Sequence, residues 1–195
     1  MQGIFIVLDG PDATGTSTHA ALLAERLQKE GYPVLLTSEP TNGPMGARIR
    51  EYLKNGTGDP MTLQRLFTAD RAWHVEHVIE PALGNGKCVV CDRYSPSTII
   101  YAEAQGLDST KLKKLNNKFP RPDCLLFTLP SLNIALGRLA KRTSKEVFER
   151  EDFQRKVHAG YAAFAAADPS IHVIDTAGPK EETAEKIWSI VSVLL

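Results

Sequence analysis

Short apolar runs alternate with longer amphipathic segments along this chain. The runs are rich in β-branched and large aliphatic residues. They occupy residues 4–8, 33–37, 87–92, 124–129 and 170–175. Between the first two runs, Ala20, Leu23 and Leu27 recur at helical spacing until Gly31. Strands that alternate with helices are typical of a parallel sheet with helices on both faces. The pattern therefore predicts a doubly wound α/β fold with one strand for each apolar run.

The remaining amphipathic segments predict further helices. Their expected bounds are about 45–53, 61–79, 97–105, 109–118, 132–139 and 181–193. Pro81 is expected to kink or end the second of these, because proline removes a backbone donor from a helix. The 195 residues show no break in composition, which predicts a single domain over residues 1–195.

Charge and hydropathy exclude several classes of protein. The chain has 23 basic and 23 acidic residues, so its formal net charge is zero and neither a nucleic-acid nor a membrane partner is expected. It has neither a basic leader nor an apolar stretch of membrane-spanning length, which predicts a soluble cytoplasmic protein.

Cys88 and Cys91 lie three residues apart in an apolar run, and hence on opposite faces of a strand. We expect buried free thiols there rather than a metal site or a disulfide.

The candidate chemistry begins with a glycine-rich loop directly after the first apolar run. Its residues are Gly10, Pro11, Asp12, Ala13, Thr14, Gly15, Thr16, Ser17 and Thr18. The spacing matches the phosphate-binding pattern G-x-x-x-x-G-K-[ST], except that Thr16 stands where lysine belongs. A strand that leads through glycines into a helix aims backbone N–H groups and the positive end of the helix dipole at one point, which suits a polyphosphate. The alternative is a turn that binds no ligand.

The missing lysine matters because it would bring a full charge to the β- and γ-phosphates. Losing one such stabiliser commonly costs about 3–4 kcal/mol, or roughly a hundredfold to a thousandfold in rate. If the loop supports catalysis, another cation must compensate. The mixed-charge stretch at about 138–151 is either a solvated face or a mobile basic lid. Its candidate cations are Arg138, Lys141, Arg142, Lys145 and Arg150.

Polar residues also follow two other predicted strands. Glu39 lies in a proline-rich loop after the second strand, and Arg50 lies in the next helix. Such loops bind ligands in open α/β sheets, although a solvated carboxylate and an exposed arginine are the alternative here. Asp92, Arg93 and Tyr94 end the third strand. Because a strand that is buried on both faces has little use for charge, we favour a functional site at that end.

Phe67, Arg71 and His74 share one face of a predicted helix, because they lie at positions i, i+4 and i+7. An aromatic ring and an arginine one turn apart are suited to stacking on a base and holding a phosphate. The alternative is a core phenylalanine beside a surface salt bridge from Arg71 to Asp70 or Glu76. The helical pattern alone favours this alternative.

Together these residues resemble the thymidylate kinase family of the P-loop nucleoside-monophosphate kinase superfamily, over nearly the whole chain. The segments that carry the resemblance are Ile4 to Gly10, Glu39-Pro40-Thr41 with Gly46 and Ile49-Arg50, Leu66-Phe67 with Ala69-Asp70-Arg71, Asp92-Arg93-Tyr94 with Ser97 and Tyr101, Pro122-Asp123, and Val173-Ile174-Asp175. Each is weak alone, but their order and spacing are specific. The resemblance implies a P-loop NTPase-type three-layer α/β/α fold, with strand order 2-3-1-4-5.

The resemblance also implies an activity, the transfer of the γ-phosphoryl group of ATP to the 5′-phosphate of dTMP with Mg²⁺, carried out by a homodimer. Phe67 would stack on the thymine, Arg71 would contact the base, and Tyr101 would lie against the deoxyribose. Glu39 and Ser97 belong to the same expected substrate-binding set.

The phosphate-handling roles follow from the same resemblance. Asp12 would hold the region of the sugar 3′-hydroxyl, and Arg50 would hold the acceptor phosphate. Arg93 would bridge the acceptor phosphate and the transferred group. Ser17, with Asp92, would serve Mg²⁺. Asp12 and Arg93 are therefore expected to be catalytic.

Three positions depart from the family pattern. Thr16 replaces the loop lysine, Ala102 stands where many relatives have glutamine, and Leu129 stands where aspartate is common. We expect the lid to compensate for the lysine, with Arg142 as a catalytic cation and Arg138 on the ATP. Two other interpretations stay open: a catalytically silent nucleotide-binding protein, and a kinase of another nucleoside or phosphorylated small molecule.

Overall fold

The predicted strands form one parallel sheet in the computed structural model, which describes residues 3–56, 58–141, 148 and 150–195. The strands are β1 (Ile4–Asp9), β2 (Val34–Ser38), β3 (Cys88–Asp92), β4 (Cys124–Thr128) and β5 (His172–Ile174). Their order is β2-β3-β1-β4-β5, and every neighbouring pair is parallel. Parallel strands need crossover helices on the faces of the sheet. The prediction of a P-loop NTPase-type three-layer α/β/α fold is confirmed.

Helices connect successive strands. They are α1 (Thr16–Lys29), α2 (Gly46–Asn55), α3 (Pro60–His74), α4 (Glu80–Gly84), α5 (Ser95–Ala104), α6 (Thr110–Asn116), α7 (Leu132–Leu139), α8 (Glu151–Ala167) and α9 (Lys180–Val191). Pro81 does not end the helical run, which continues from α3 through a π-helical segment (Val75–Ile79) into α4. The wider π turn just before Pro81 accommodates the proline ring and its missing donor.

The two faces of the sheet are packed by different helices. Leu8 and Cys88 face α1 and α9, whereas Val7 and Cys91 face the π-helical segment and α4. Both cysteines are buried and free, as predicted. A fully buried aliphatic side chain contributes about 1.5–3 kcal/mol, so the alternation of side chains along β1 fixes which face each one occupies.

The carboxyl ends of the central strands meet at one edge of the sheet. Leu8 of β1 pairs in register with Asp92 of β3, and Glu39 directly follows β2. A separate apolar cluster that includes Phe127 of β4 joins α2, α3, α5 and α8 beside this edge. Because these helices pack over the strand ends, polar residues that look like loop residues in the sequence become buried there.

Some predictions differ in extent or lie outside the described residues. The fifth strand is three residues long rather than the predicted six, because its pairing with β4 extends over His172, Val173 and Ile174 alone in the described structure. Residues 142–147 and 149 are not among those described, so the positions of Arg142 and Lys145, and the predicted lid, stay predictions. Over the described ranges, no helix has the length and apolar character needed to cross a membrane.

Candidate active site

The glycine-rich loop joins β1 to α1 and is held against β4. Gly15 has a φ of 99°, in the left-handed region, and α1 begins at the next residue. The hydroxyl of Thr14 lies 2.8 Å from the Pro11 carbonyl oxygen and 2.9 Å from the Thr128 hydroxyl. A Cβ atom at Gly10 would lie 2.5 Å from Oγ1 of Thr128, so this close approach requires glycine. No side chain caps the N-terminus of α1 within the described structure, so its first N–H groups are left for an anion.

The loop lines a polar cavity of about 540 Å³, which we name the loop cavity. Its lining residues are Asp12, Ala13, Gly15, Thr16, Ser17, Thr18, His19, Arg93, Arg138, Thr176, Gly178 and Lys180. The N-terminal ends of α1 and α9 both contribute to it. Most of the predicted ATP-binding residues therefore surround one space, whereas Gly10, Pro11 and Thr14 support it without lining it.

Among the described cations, those that border the loop cavity are Arg93, Arg138 and Lys180. Arg138 donates to the Thr176 carbonyl at 2.6 Å, and the Thr176 hydroxyl donates to the Thr14 carbonyl at 2.7 Å. This chain of hydrogen bonds ties Arg138 to the glycine-rich loop, and its predicted role on the ATP stays a prediction.

The other lid cations that the structure describes lie elsewhere. Arg150 is exposed and pairs with Asp152 at 3.2 Å. Neither Arg150 nor Lys141 is among the lining residues of the loop cavity. Lys180 was missed by sequence reasoning, although a basic residue at a helix start after a strand end, in Gly178-Pro179-Lys180, was an available signal.

His19 borders the loop cavity from α1, one turn after Thr16. Burial, with Arg138 and Lys180 nearby, lowers the pKa of His19 below its ordinary value. Its buried Nδ1 has no hydrogen-bond partner among the described residues. His19 is therefore a neutral side chain at neutral pH, and the positive charge of this cavity comes from its arginines and lysine.

A second cavity of about 360 Å³ lies at the carboxyl ends of β2 and β3, and we name it the central cavity. The predicted residues that line it are Asp12, Ser17, Glu39, Arg50, Phe67, Arg71, Asp92, Arg93, Ser97 and Tyr101. All of the predicted substrate-binding residues are therefore brought together. Leu53, Gln64, Tyr94, Thr98 and Phe148 also line it and were not predicted as site residues.

Arg71 is a buried residue, not a surface one. Its side chain is 1% exposed and its Nη2 lies 2.6 Å from Oε2 of Glu39, which is 3% exposed. It also donates to Asn116 and, at 3.2 Å, to the hydroxyl of Thr98. The alternatives of a solvated Glu39 and of a surface salt bridge from Arg71 to Asp70 or Glu76 are wrong, because α3 packs over the end of β2. Asp70 instead accepts hydrogen bonds from the backbone and hydroxyl of Thr41.

Arg50 is exposed, as in the alternative interpretation, but its guanidinium also makes a specific contact. It reaches back from α2 and donates to the Thr41 carbonyl at 2.8 Å. This bond holds the proline-rich loop after β2 and places the guanidinium at the wall of the central cavity.

Arg93 and Asp12 lie where the two cavities meet, since both residues and Ser17 line each of them. Nη2 of Arg93 lies 2.7 Å from Oδ1 of Asp12, and Nη1 donates to the Gly10 carbonyl at 2.9 Å. Arg93 has a φ of 70°, a left-handed conformation that costs a non-glycine residue on the order of 1–3 kcal/mol. Such strain is typical of functional positions. The geometry suits a cation placed between two anionic groups.

The comparisons with known proteins show the family of this chain. The family model for thymidylate kinase matches residues 8–187. A thymidylate kinase from Synechococcus sp. (strain JA-3-3Ab) is 40% identical in an alignment of 198 positions that covers 96% of this chain and 95% of the relative. A probable thymidylate kinase from Pyrococcus horikoshii is 38% identical, with 98% and 97% covered, and a thymidylate kinase from Thermomicrobium roseum is 39% identical, with 98% and 95% covered. The chain belongs to the thymidylate kinase family. It is thus an enzyme of the nucleoside-monophosphate kinase class.

In this thymidylate kinase family member, Ser17 and Asp92 form a pair that fits the implied Mg²⁺. The Ser17 hydroxyl donates to Oδ2 of Asp92, and the buried Oδ1 of Asp92 has no hydrogen-bond partner among the described residues. No group of three or more histidine, cysteine or acidic side chains forms a metal cage in the described structure. Mg²⁺ is commonly held by one or two carboxylates together with substrate phosphates, so an open pair of this kind suits it.

Two further groups hold the predicted catalytic residues in place and were not found from the sequence. Nε2 of Gln154, on α8, donates to Oδ2 of Asp12 at 2.6 Å. Asp9 is fully buried and accepts from the Ser97 hydroxyl at 2.6 Å and from the Tyr161 hydroxyl at 2.7 Å. The Ser97 hydroxyl also accepts from Arg93 at 3.2 Å. Ser97 thus lines the central cavity, but its hydroxyl is already hydrogen-bonded to Asp9 and Arg93.

Proposed function

We propose that this protein transfers the γ-phosphoryl group of ATP to the 5′-phosphate of dTMP, giving ADP and dTDP, with Mg²⁺ as cofactor. The observation that carries the proposal is the meeting of two cavities at Asp12, Ser17 and Arg93. The glycine-rich loop lines the loop cavity, and the residues that the family resemblance assigns to dTMP line the central cavity. The family membership and the names of the relatives support the same reaction.

The donor would lie in the loop cavity with its phosphates at the N-terminus of α1, where backbone N–H groups and the helix dipole favour an anion. The acceptor would lie in the central cavity, with its base beside Phe67 and Arg71 and its phosphate beside Arg50. A guanidinium has only hydrogen-bond donors, so Arg71 suits a base that presents a carbonyl oxygen, as thymine does. Tyr101 lies at the same wall and suits the sugar.

The chemistry requires no protein nucleophile. An oxygen of the acceptor phosphate attacks the γ-phosphorus in line, a new P–O bond forms, and the bond to the oxygen of ADP breaks. The protein contributes position and charge. Arg93 would stabilise the negative charge at the meeting point, and Asp12 with Gln154 holds that guanidinium in place. Ser17 and Asp92 would hold Mg²⁺, which when bound neutralises charge on the donor phosphates.

The charge that the loop lacks at Thr16 would come from the lid. Arg138 supports this part of the proposal because it borders the loop cavity and is tied to Thr14 through Thr176. Arg142 is the second cation that we propose, from its place in the sequence. A homodimer and a cytoplasmic location are proposed from the family resemblance.

The deciding experiment is steady-state ADP formation from ATP and Mg²⁺ with dTMP, dUMP, dCMP or dGMP, and without acceptor. Turnover that strongly prefers dTMP is expected. A preference for another acceptor would replace dTMP in the proposal. Thr16 favours one other function, a silent nucleotide-binding protein, and a folded sample that binds ATP and dTMP without any turnover would establish it instead.

A further inference from the structure

A chain of buried hydrogen bonds runs from β2 through α3 to the wall of the central cavity. Nε2 of His74 lies 2.7 Å from the hydroxyl of Thr37, and Nδ1 of His74 lies 3.1 Å from Oε1 of Glu39. The other carboxylate oxygen of Glu39 receives Arg71 at 2.6 Å. The side chains of His74 and Arg71 are 1% exposed. These distances and this burial leave little room for the side chains of His74, Glu39 and Arg71 to rotate.

The direction of the bond between His74 and Glu39 follows from the chemistry of the partners. The carboxylate of Glu39, paired with a guanidinium, only accepts hydrogen bonds, so Nδ1 of His74 carries the proton and donates. Nε2 of His74 lies against the Thr37 hydroxyl, which can either donate or accept there. The direction that matters for the cavity is therefore the one from His74 to Glu39.

Glu39 thereby has both carboxylate oxygens engaged, one by His74 and one by Arg71. Arg71 donates to Asn116, Glu39 and Thr98, and its guanidinium lies 4.9 Å from the centre of the Tyr94 ring. A guanidinium has five N–H donors in a rigid fork, and these contacts use three of them. The direction of the remaining donors is set by the orientation of the guanidinium, and Glu39 is the charged partner that helps to fix this orientation.

We propose that His74 is a positioning residue for recognition of the nucleobase. It holds the carboxylate of Glu39, which in turn fixes the fork of Arg71 so that its remaining donors meet the acceptor base. His74 itself does not line the central cavity, so its effect passes through Glu39. The inference rests on the proposed function, because it assumes that Arg71 contacts the base of the acceptor.

Two substitutions at His74 separate its hydrogen bond with Glu39 from its hydrogen bond with Thr37. His74→Asn places an amide N–H near the position of Nδ1 and keeps the bond to Glu39, whereas His74→Gln places its amide near Nε2 and loses that bond. We expect His74→Gln to raise KM for dTMP about fivefold to tenfold, the usual effect of one lost hydrogen bond between buried partners. KM for ATP and kcat should change less than about twofold, because the interaction is a ground-state contact with the acceptor. His74→Asn should restore most of the affinity for dTMP.

The matched control is His77→Gln. His77 belongs to the same helical run, is 49% exposed and stacks on Trp73 away from the central cavity. The His77→Gln substitution should leave KM for dTMP and KM for ATP unchanged. A second measurement uses 2-deoxyribose 5-phosphate, which lacks a base, as a competitive inhibitor against dTMP. His74→Gln should leave its inhibition constant unchanged, because Arg71 has no base to contact.

The outcomes are distinct from those of the proposed function, which stands or falls on turnover by the unsubstituted protein. If that protein lacks turnover, calorimetric titration with dTMP gives the same comparison between variants. Equal dTMP affinity in the His74→Gln protein overturns the inference, and so does a parallel loss for dTMP, ATP and the sugar phosphate, which indicates general damage to the fold. If neither variant folds, the nitrogen NMR spectrum of the unsubstituted protein decides: a proton on Nε2 of His74 rather than on Nδ1 overturns it.

Discussion

The central cavity and the loop cavity hold their charges in different ways. In the central cavity, Arg71 and Glu39 are 1% and 3% exposed and are fixed at 2.6 Å. In the loop cavity, the residue at the usual lysine position is Thr16, and Lys180 lies on the exposed start of α9. Removing one partner of a buried ion pair commonly costs about 3–5 kcal/mol, whereas an exposed pair contributes about 0–1 kcal/mol. The proposed acceptor side is therefore organised before any ligand binds, whereas the proposed donor side includes an exposed cation, Lys180.

The largest effect is expected where the two cavities meet. Arg93→Ala removes the cation that lines both, so kcat should fall roughly a hundredfold to a thousandfold, as for other well-placed stabilisers of transition-state charge. Arg150→Ala is the control, because Arg150 is 77% exposed and pairs with Asp152 outside both cavities. Steady-state kinetics with a thermal-unfolding check of each variant would measure this. A loss of less than about tenfold contradicts the placement of the reaction at Arg93.

The metal pair should give the next largest effect. Asp92→Asn removes the charge of the buried carboxylate beside Ser17, so the apparent affinity for Mg²⁺ should fall about tenfold to a hundredfold. Titration of activity with Mg²⁺ at saturating ATP and dTMP measures it, and chelation with EDTA should abolish turnover. Asp175→Asn, an exposed aspartate after β5, is the control. An unchanged Mg²⁺ requirement in the Asp92 variant would assign the ion to other groups.

The sequence was most informative where the site is local. β1, the glycine-rich loop and α1 are consecutive, so their spacing was sufficient to predict the phosphate-binding loop. Gln154 donates to Asp12 from 142 positions away, and no local pattern marks it. The alternative interpretation of Glu39 and Arg71 as surface groups failed for a related reason. Their burial depends on α3 packing over the end of β2, which is a tertiary effect.

The whole pattern of strands was predictable because each strand is a separate apolar run bounded by turns. The residues at which the strands and helices end were less predictable. The fifth strand is limited to His172–Ile174, since its length follows the extent of backbone pairing with β4 and not the apolar run. The helical run through Pro81 was not foreseen, because a π turn depends on the register of backbone hydrogen bonds rather than on residue type. Lys180 was not predicted, because it lies outside the predicted lid at about 138–151, from which the compensating cation was expected.

A smaller effect is expected from the donor side. Lys180→Ala should raise KM for ATP about fivefold, because an exposed ammonium contributes about 1 kcal/mol to an ion pair. Lys186→Ala, farther along α9, is the control and should change nothing. Adding Thr16→Lys to the Lys180 variant should restore the affinity, since both changes alter the charge of one cavity. A double variant that does not regain affinity for ATP would show that a charge at Thr16 cannot replace the one at Lys180.

The smallest effect concerns the pH dependence of stability, through His19. Burial, with Arg138 and Lys180 nearby, lowers the pKa of His19 from 6.5, so the unfolded chain binds a proton more readily than the folded one as pH falls below that value. The protein should therefore lose stability between about pH 7 and pH 5, and His19→Gln should lose less over the same interval. His172→Gln, at an exposed position on β5, is the control.

Urea unfolding at several pH values measures how the free energy of unfolding depends on pH in the unsubstituted and His19→Gln proteins. Repeating the measurement with ATP or with dTMP gives a second test. ATP in the loop cavity would bring negative charge close to His19, raise its pKa and weaken the pH dependence. dTMP in the central cavity would leave the pH dependence as it is, because His19 does not line that cavity. Equal responses to the two nucleotides would contradict the assignment of donor and acceptor to separate cavities, even if every variant remained active.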